Sequence, residues 1–396
     1  MNEILNELKS RHEKTRELIK QAGIDAILVL QDIDLLYYTN SMQALAIYIP
    51  VNGNVIAFYK SALERIKQDC PLELVQTKSI KLIPGLIKEL SGELPEKIGF
   101  EFDVLPVAVF NRIVKSFNNE KTIIPVDCGT LVKKVRMIKS DYELSLMRKS
   151  GSITKKVFEQ TKSILKPGIS ELDAAIEIEY LYRKYSHLGP TRMRTFNHEL
   201  FYGHVLSGET ALIPASFATP FGGKGSHASF SSGPSDSIIK KNEPIAIDYV
   251  ANYNGYHVDT TRTFVIGKLD KFLQTKYNGL LEIHNEIKSL LKPGAICSDI
   301  YKHILNFVDK LGLSKNFMGL ENEQVSFIGH GIGVEVDEYP VIAKGFDFPI
   351  EKNMTIAFEP KLFFQGHGAL GIEDTFLITD DVPEVLSDVD IEIIEV

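Results

Sequence analysis

One pattern constrains this chain more than any other: helix, Leu-Lys-Pro-Gly, helix, met twice. The first copy reads as helical from Ser140 to Leu165, stops at Lys166-Pro167-Gly168, and resumes over Leu172–Tyr185. The second runs over Leu273–Leu291, stops at Lys292-Pro293-Gly294, and resumes over Asp299–Leu311. Proline cannot continue a helix, and glycine takes the left-handed backbone that follows one. Strand-like segments come after each copy. Two similar halves would pack about a pseudo-twofold axis with a cleft between them. Coincidence is the competing reading, since Pro-Gly is a common terminator. Ser140 with Glu143 forms a capping box at the first helix start. In the second long helix, His284 lies on the apolar stripe with Leu280 and Ile287, where a core histidine is expected rather than a ligand.

The preceding third has a different texture. Residues 1–22 form an amphipathic helix, and Ile24–Leu30 is a short apolar run of buried-strand type. Residues 54–59 and 97–102 are further strands, with helices over 61–69, 81–90 and 104–117. This predicts an α/β domain over residues 1–127, ending near Pro125-Val126-Asp127, and a second domain over 128–396. The first has no cluster of histidine, cysteine or acids at ligand spacing, so it reads as scaffold or interface.

The formal net charge of −8 leaves no basic excess for a nucleic-acid surface. No apolar run approaches the roughly 20 residues that span a bilayer. The N-terminus reads as a charged helix start rather than a secretory signal. The three cysteines, Cys70, Cys128 and Cys297, have no paired spacing and read as reduced thiols. The expectation is a cytoplasmic protein.

The chemistry is concentrated in the second domain. Ala246–Phe264 reads as two strands joined at Asn254-Gly255, with Asp248 and Asp259 near their outer ends. A hairpin folds both carboxylates toward one point, where they repel unless a cation or proton lies between them. Solvated turn acids are the plainer alternative. Further on, His330 stands between Gly329 and Gly331, Glu359 ends an apolar strand, and Glu373 begins another. Four carboxylates and one imidazole suit a pair of hard or borderline divalent ions such as Mn²⁺ or Co²⁺. The lack of cysteine ligands disfavours a structural zinc.

These motifs, in this order, resemble the pita-bread metallohydrolase superfamily (peptidase family M24), in its creatinase, prolidase and aminopeptidase P branch. Gly23–Val29 resembles the branch's N-terminal domain, and Ile138–Ser140 with Glu143 the start of its catalytic domain. Gly255-Tyr256, Asp259 and Thr261-Arg262-Thr263 match the two-aspartate hairpin. Gly329–Gly333, Glu359-Pro360 and Ile372-Glu373-Asp374 match the histidine loop and the two glutamate strands. The resemblance implies an α/β N-terminal domain and an α+β pita-bread catalytic domain with pseudo-twofold duplication. It implies two divalent ions, with Mn²⁺ expected and Co²⁺, Zn²⁺ or Fe²⁺ as alternatives. Asp248, Asp259, His330, Glu359 and Glu373 would be the ligands, Asp259 and Glu373 bridging. It also implies a homodimer.

Departures from the family pattern bear on the reaction. Two histidines that family peptidases carry fall here on Ser231 and Asp337, and an arginine common in proline-specific members falls on Gly371. The Gly/Ser-rich stretch Phe221–Gly233 reads as a reshaped pocket loop. His227 could fill the space of a missing histidine, or be an ordinary loop residue, and His204 could also substitute. Tyr256 and Ser231 are further candidates for substrate contact.

Two readings follow. One is an Xaa-Pro dipeptidase or aminopeptidase P-like exopeptidase, in which a metal-bridged hydroxide attacks and Glu359 shuttles the proton. The other keeps the fold and ions but acts on a small cationic substrate, like a dimethylsulfoniopropionate lyase or a creatinase-like C–N hydrolase, with Asp337 as general base. A non-enzymatic binding protein is the third; the complete ligand set speaks against it.

Overall fold

The computed structural model describes residues 2–216 and 219–396, which separate into two compact units, residues up to Arg136 and Met137–Val396. The first unit is a six-stranded mixed sheet. Its strands are β1 (Ala26–Val29), β2 (Ala46–Pro50), β3 (Ile56–Tyr59), β4 (Leu74–Gln76), β5 (Lys97–Phe100) and β6 (Ile124–Asp127), in spatial order β4-β3-β2-β1-β5-β6. β1 is apolar throughout because both faces are covered. Ile27 and Val29 pack into one core, while Ala26 and Leu28 pack into another on the opposite face.

The chain flanks this sheet with α1 (Asn2–Gln21), α2 (Asp32–Thr39), α3 (Leu63–Asp69), α4 (Ile83–Ser91), α5 (Val107–Asn118) and α6 (Gly129–Met137). Residues 124–127, where the sequence places the domain boundary, form a parallel partner of β5. Val132 and Val135 of α6 lie in the first unit's core, so its compact body runs beyond the expected break at 127/128.

The second unit carries the duplication. α7 (Asp141–Ile164) and α8 (Glu171–Lys184) precede β7 (Gly203–Ser207), β8 (Pro244–Tyr253) and β9 (Tyr256–Val265). α9 (Lys271–Leu290) and α10 (Cys297–Lys310) precede β10 (Phe327–Gly331), β11 (Glu338–Ala343), β12 (Thr355–Phe358), β13 (Lys361–Phe364), β14 (Gly368–Gly371) and β15 (Asp374–Leu377). Short strands β16 (Glu384–Val385) and β17 (Ile394–Glu395) complete the edges. Each helix pair buries its apolar face in a separate core. Val157, Ile178 and Ile247 mark one; Ile283, Ile304 and Phe358 mark the other.

α7 begins with the expected capping box, in which Ser140 and Glu143 each accept a main-chain N–H. Glu143 Oε1 also accepts from the Tyr256 hydroxyl at 3.0 Å, tying the helix start to β9. His284 is buried as expected, but it has work to do: its Nε2 lies 2.9 Å from Asp374 Oδ2. The two larger sheets of this unit, β17-β9-β8-β7 and β11-β10-β12-β15-β16, meet where Thr261 pairs with Glu373, and β13 and β14 form a separate two-stranded sheet.

Candidate metal centre

The predicted hairpin forms with a two-residue turn. Tyr253 pairs with Tyr256, and Asn254 and Gly255 take φ values of 49° and 90°, the left-handed pair such turns require. Asp248 and Asp259 are not at the outer ends of the strands but within them. Asp248 faces Thr261, and Asp259 precedes Thr261 by two residues, so both point from one face of the sheet. The register continues sideways: His204 faces Asp248, and Glu373 pairs with Thr261. Directly opposed residues share a face, so His204, Asp248, Thr261 and Glu373 form one row across four chain segments. His330, on β10, and Glu359, just after β12, arrive from the adjoining sheet.

All five predicted ligands are brought to one pocket. Within it, ligand atoms of Asp259, His330 and Glu373 lie within 4.8 Å of one another, a grouping that could hold a metal ion. Burial and then the charge of Asp248 push the Asp259 carboxyl up to about 7, and burial with the charge of Asp259 drives Glu373 well above the ordinary range. Carboxylates so crowded call for a cation. Two acidic oxygens and an imidazole nitrogen suit one divalent ion of borderline hardness. Neighbouring groups hold them: Thr261 Oγ1 donates to Glu373 Oε2 at 2.7 Å, and the Thr260 N–H donates to Asp259 Oδ1 at 2.9 Å.

A second ion does not fit the remaining donors so simply. Lys361 Nζ, on a side chain 1% exposed, stands 2.6 Å from Glu359 Oε2, 3.1 Å from Glu373 Oε2 and 3.3 Å from Asp248 Oδ2. Sequence reasoning missed this residue. The signal was available: a lysine directly after Glu359-Pro360 in an apolar run, where buried lysines are rare unless paired.

The other candidates divide. His204 lines the pocket; it is buried, burial holds its pKa below the ordinary value, and its Nδ1 has no hydrogen-bond partner among the described residues. Asp337 also lines the pocket, but its oxygens are engaged. Oδ1 accepts the Arg194 N–H at 2.7 Å, and Oδ2 accepts the Thr195 N–H at 2.8 Å and the Thr195 hydroxyl. It anchors the segment carrying Thr195, His198 and Glu199 into the pocket wall. His227 and Ser231 do not reach the pocket. Both are exposed, and His227 Nδ1 pairs with Ser229 Oγ at 2.9 Å. Their loop approaches instead with Gly233, where a Cβ would come within 3.1 Å of His204 Nδ1. Tyr256 is occupied with Glu143 and is not among the pocket residues. His198 and Glu199, in the wall, carry no motif that sequence could have flagged.

Fold and ligand set together define a pita-bread, metal-dependent hydrolase. The chain belongs to metallopeptidase family M24, matched over residues 145–380, and carries a creatinase/prolidase N-terminal domain, matched over residues 11–138. It is 25% identical to an Xaa-Pro dipeptidase of Pyrococcus furiosus over 376 residues, 94% of this chain and 96% of that one. An uncharacterized peptidase of Staphylococcus epidermidis is 26% identical over 95% of this chain and 98% of its own. Among solved structures, an Xaa-Pro dipeptidase from Bacillus anthracis superposes with a TM-score of 0.82 at 24% identity, covering 98% of this chain and 100% of that one. No helix among the described residues is long and apolar enough to cross a membrane.

Proposed function

We propose that this protein is a metal-dependent exopeptidase that hydrolyses short peptides of the Xaa-Pro type. The observation that carries the reading is the convergence of Asp259, His330 and Glu373 at one pocket. The names of the similar dipeptidases support the substrate class. A divalent ion held by those three residues, Mn²⁺ being our choice, supplies Lewis acidity toward the scissile carbonyl and lowers the pKa of water.

The chain's own groups do the rest. Glu359 accepts a proton from the attacking water and passes it to the leaving nitrogen as the C–N bond breaks. Lys361 and His330 flank that carboxylate, at 2.6 Å from Oε2 and 3.6 Å from Oε1. His204 is neutral, with a free ring nitrogen among the described residues, and is placed to bind a substrate polar group. Phe201, Val250 and Phe327 give the pocket an apolar wall that suits a proline ring. Asp337, with both oxygens already accepting hydrogen bonds, positions the 194–199 segment rather than serving as base. That weakens the case for a base-driven reaction on a small cationic substrate. The reading extends to a cytoplasmic homodimer whose N-terminal domain serves assembly; light scattering on the purified chain checks the dimer.

The test is turnover of an Xaa-Pro dipeptide panel and Xaa-Pro-Xaa tripeptides by Mn²⁺-loaded and chelator-stripped protein. Hydrolysis that disappears on stripping and returns with Mn²⁺ is expected. Folded, metal-loaded protein that cleaves none of them would end this reading.

A further inference from the structure

Lys361 stands where the donor set asks for a second cation. An ammonium has three N–H donors and no acceptor. Here three carboxylate oxygens surround it: Glu359 Oε2 at 2.6 Å, Glu373 Oε2 at 3.1 Å and Asp248 Oδ2 at 3.3 Å. Two of its donors make hydrogen bonds, to Glu359 and Glu373, and Asp248 adds a third carboxylate as an ion pair. A divalent ion shared by the same three oxygens would need them about 2.0–2.2 Å away, around the point Nζ already holds.

The lysine is also hard to displace. Its β13 main chain pairs with β14, and Lys361 faces Gly371 across the ladder. Gly371 leaves room that the Phe221 ring takes up; a Cβ there would meet Phe221 at 3.2 Å and Thr261 Cγ2 at 2.9 Å. Lys361 Nζ lies 5.0 Å from the centroid of that same ring. The ammonium is therefore roofed by an aromatic face, and aromatic rings attract cations. Asp248, Glu359 and Glu373 line the pocket whereas Lys361 does not, so the ammonium stands behind them. Enclosed by three carboxylates and an aromatic ring, and absent from the pocket lining, it is a positioning residue.

We propose that Lys361 is a resident cation that takes the place of one of two metal ions, so that the centre binds a single divalent ion through Asp259, His330 and Glu373. Glu373 then bridges an ion and an ammonium rather than two ions. The proposal rests on the reading of Asp259, His330 and Glu373 as an ion site, but its test reads metal content and not turnover.

The full-length protein, stripped and reloaded with Mn²⁺, is freed of excess metal by gel filtration and analysed for Mn per chain. One ion is expected, with the electron paramagnetic resonance signal of a magnetically isolated Mn²⁺. Lys361→Met keeps the bulk, removes the charge, and is expected to raise the count to two with an exchange-coupled signal. Two ions in the wild type, or one in both proteins, overturns the proposal. Should Lys361→Met fail to fold, the wild-type spectrum alone decides: an isolated ion upholds the proposal and a coupled pair overturns it. Absent peptide turnover with one ion bound would defeat only the functional reading; turnover with two ions would defeat only this one.

Discussion

Asp374 shows how one side chain can be held against the cost of burial. Burial would raise its pKa, but the Arg262 guanidinium and then the His284 hydrogen bond overrule it and bring the carboxyl down to about 2. Arg262 Nη2 lies 2.7 Å from Asp374 Oδ1, both fully buried, and its other donors reach the Glu373 and Val389 carbonyls. The pair thus braces the start of β15, next to Glu373. A carboxyl whose folded pKa is depressed contributes stability above its unfolded value, lost as the pH falls through the folded one. Asp374 should therefore contribute about 2 kcal/mol at neutral pH, given up between about pH 4 and pH 2. Urea unfolding of Asp374→Asn and wild type across that range checks it, because the difference should shrink toward pH 2. Arg262→Met should cost about 3–5 kcal/mol, since it strands a buried charge. At the centre itself, Glu359→Gln should lower kcat by about 10²–10⁴-fold while the Asp259, His330 and Glu373 ion is retained, as read by metal analysis. Asp337→Asn distinguishes an anchor from a base: for an anchor KM rises and the pH dependence of kcat keeps its shape, whereas loss of the acidic limb would make Asp337 the base.

Elements show where local preference and packing disagree. Gly151 lies inside α7, where alanine would gain about 1 kcal/mol of helix propensity. A Cβ there would meet the Leu386 carbonyl oxygen at 1.8 Å, with the backbone itself as the obstacle. Overpacking of that kind costs about 1–3 kcal/mol and should outweigh the propensity gain. Gly151→Ala is therefore expected to lower the urea midpoint; a rise would show that the 386–387 segment yields freely. The helix stops and the capping box of α7 were legible from sequence because they are settled within a few residues. The short elements α2, β2 and β4 were not. Each is a brief run whose identity comes from its neighbours, as when β4 gains its ladder only by lying parallel to β3.

Across the whole second unit, the candidate ligands Asp259, His330 and Glu373 come from both halves of the duplication. Asp259 belongs to the hairpin that borders the first core, His330 lies on β10 and Glu373 just before β15, both bordering the second. An ion bound by all three links the halves, so stripping it should lower the unfolding temperature of this unit. A free concentration 100 times Kd should return about 2.7 kcal/mol. Thermal melts with chelator, then with Mn²⁺ added back, check this, and an unchanged melt would contradict the link. By itself, the sequence determined the order of the candidate ligands, the two-strand hairpin and the duplicated helix pair, because strand alternation, turn residues and helix stops are short-range. Only the tertiary structure decided which groups meet. Both Asp337 oxygens accept hydrogen bonds from amides some 140 positions away in the chain, His227 stays outside while His204 faces Asp248, and Lys361 is placed among three carboxylates. Those outcomes depend on strand order and side-chain reach through space, which no local pattern encodes.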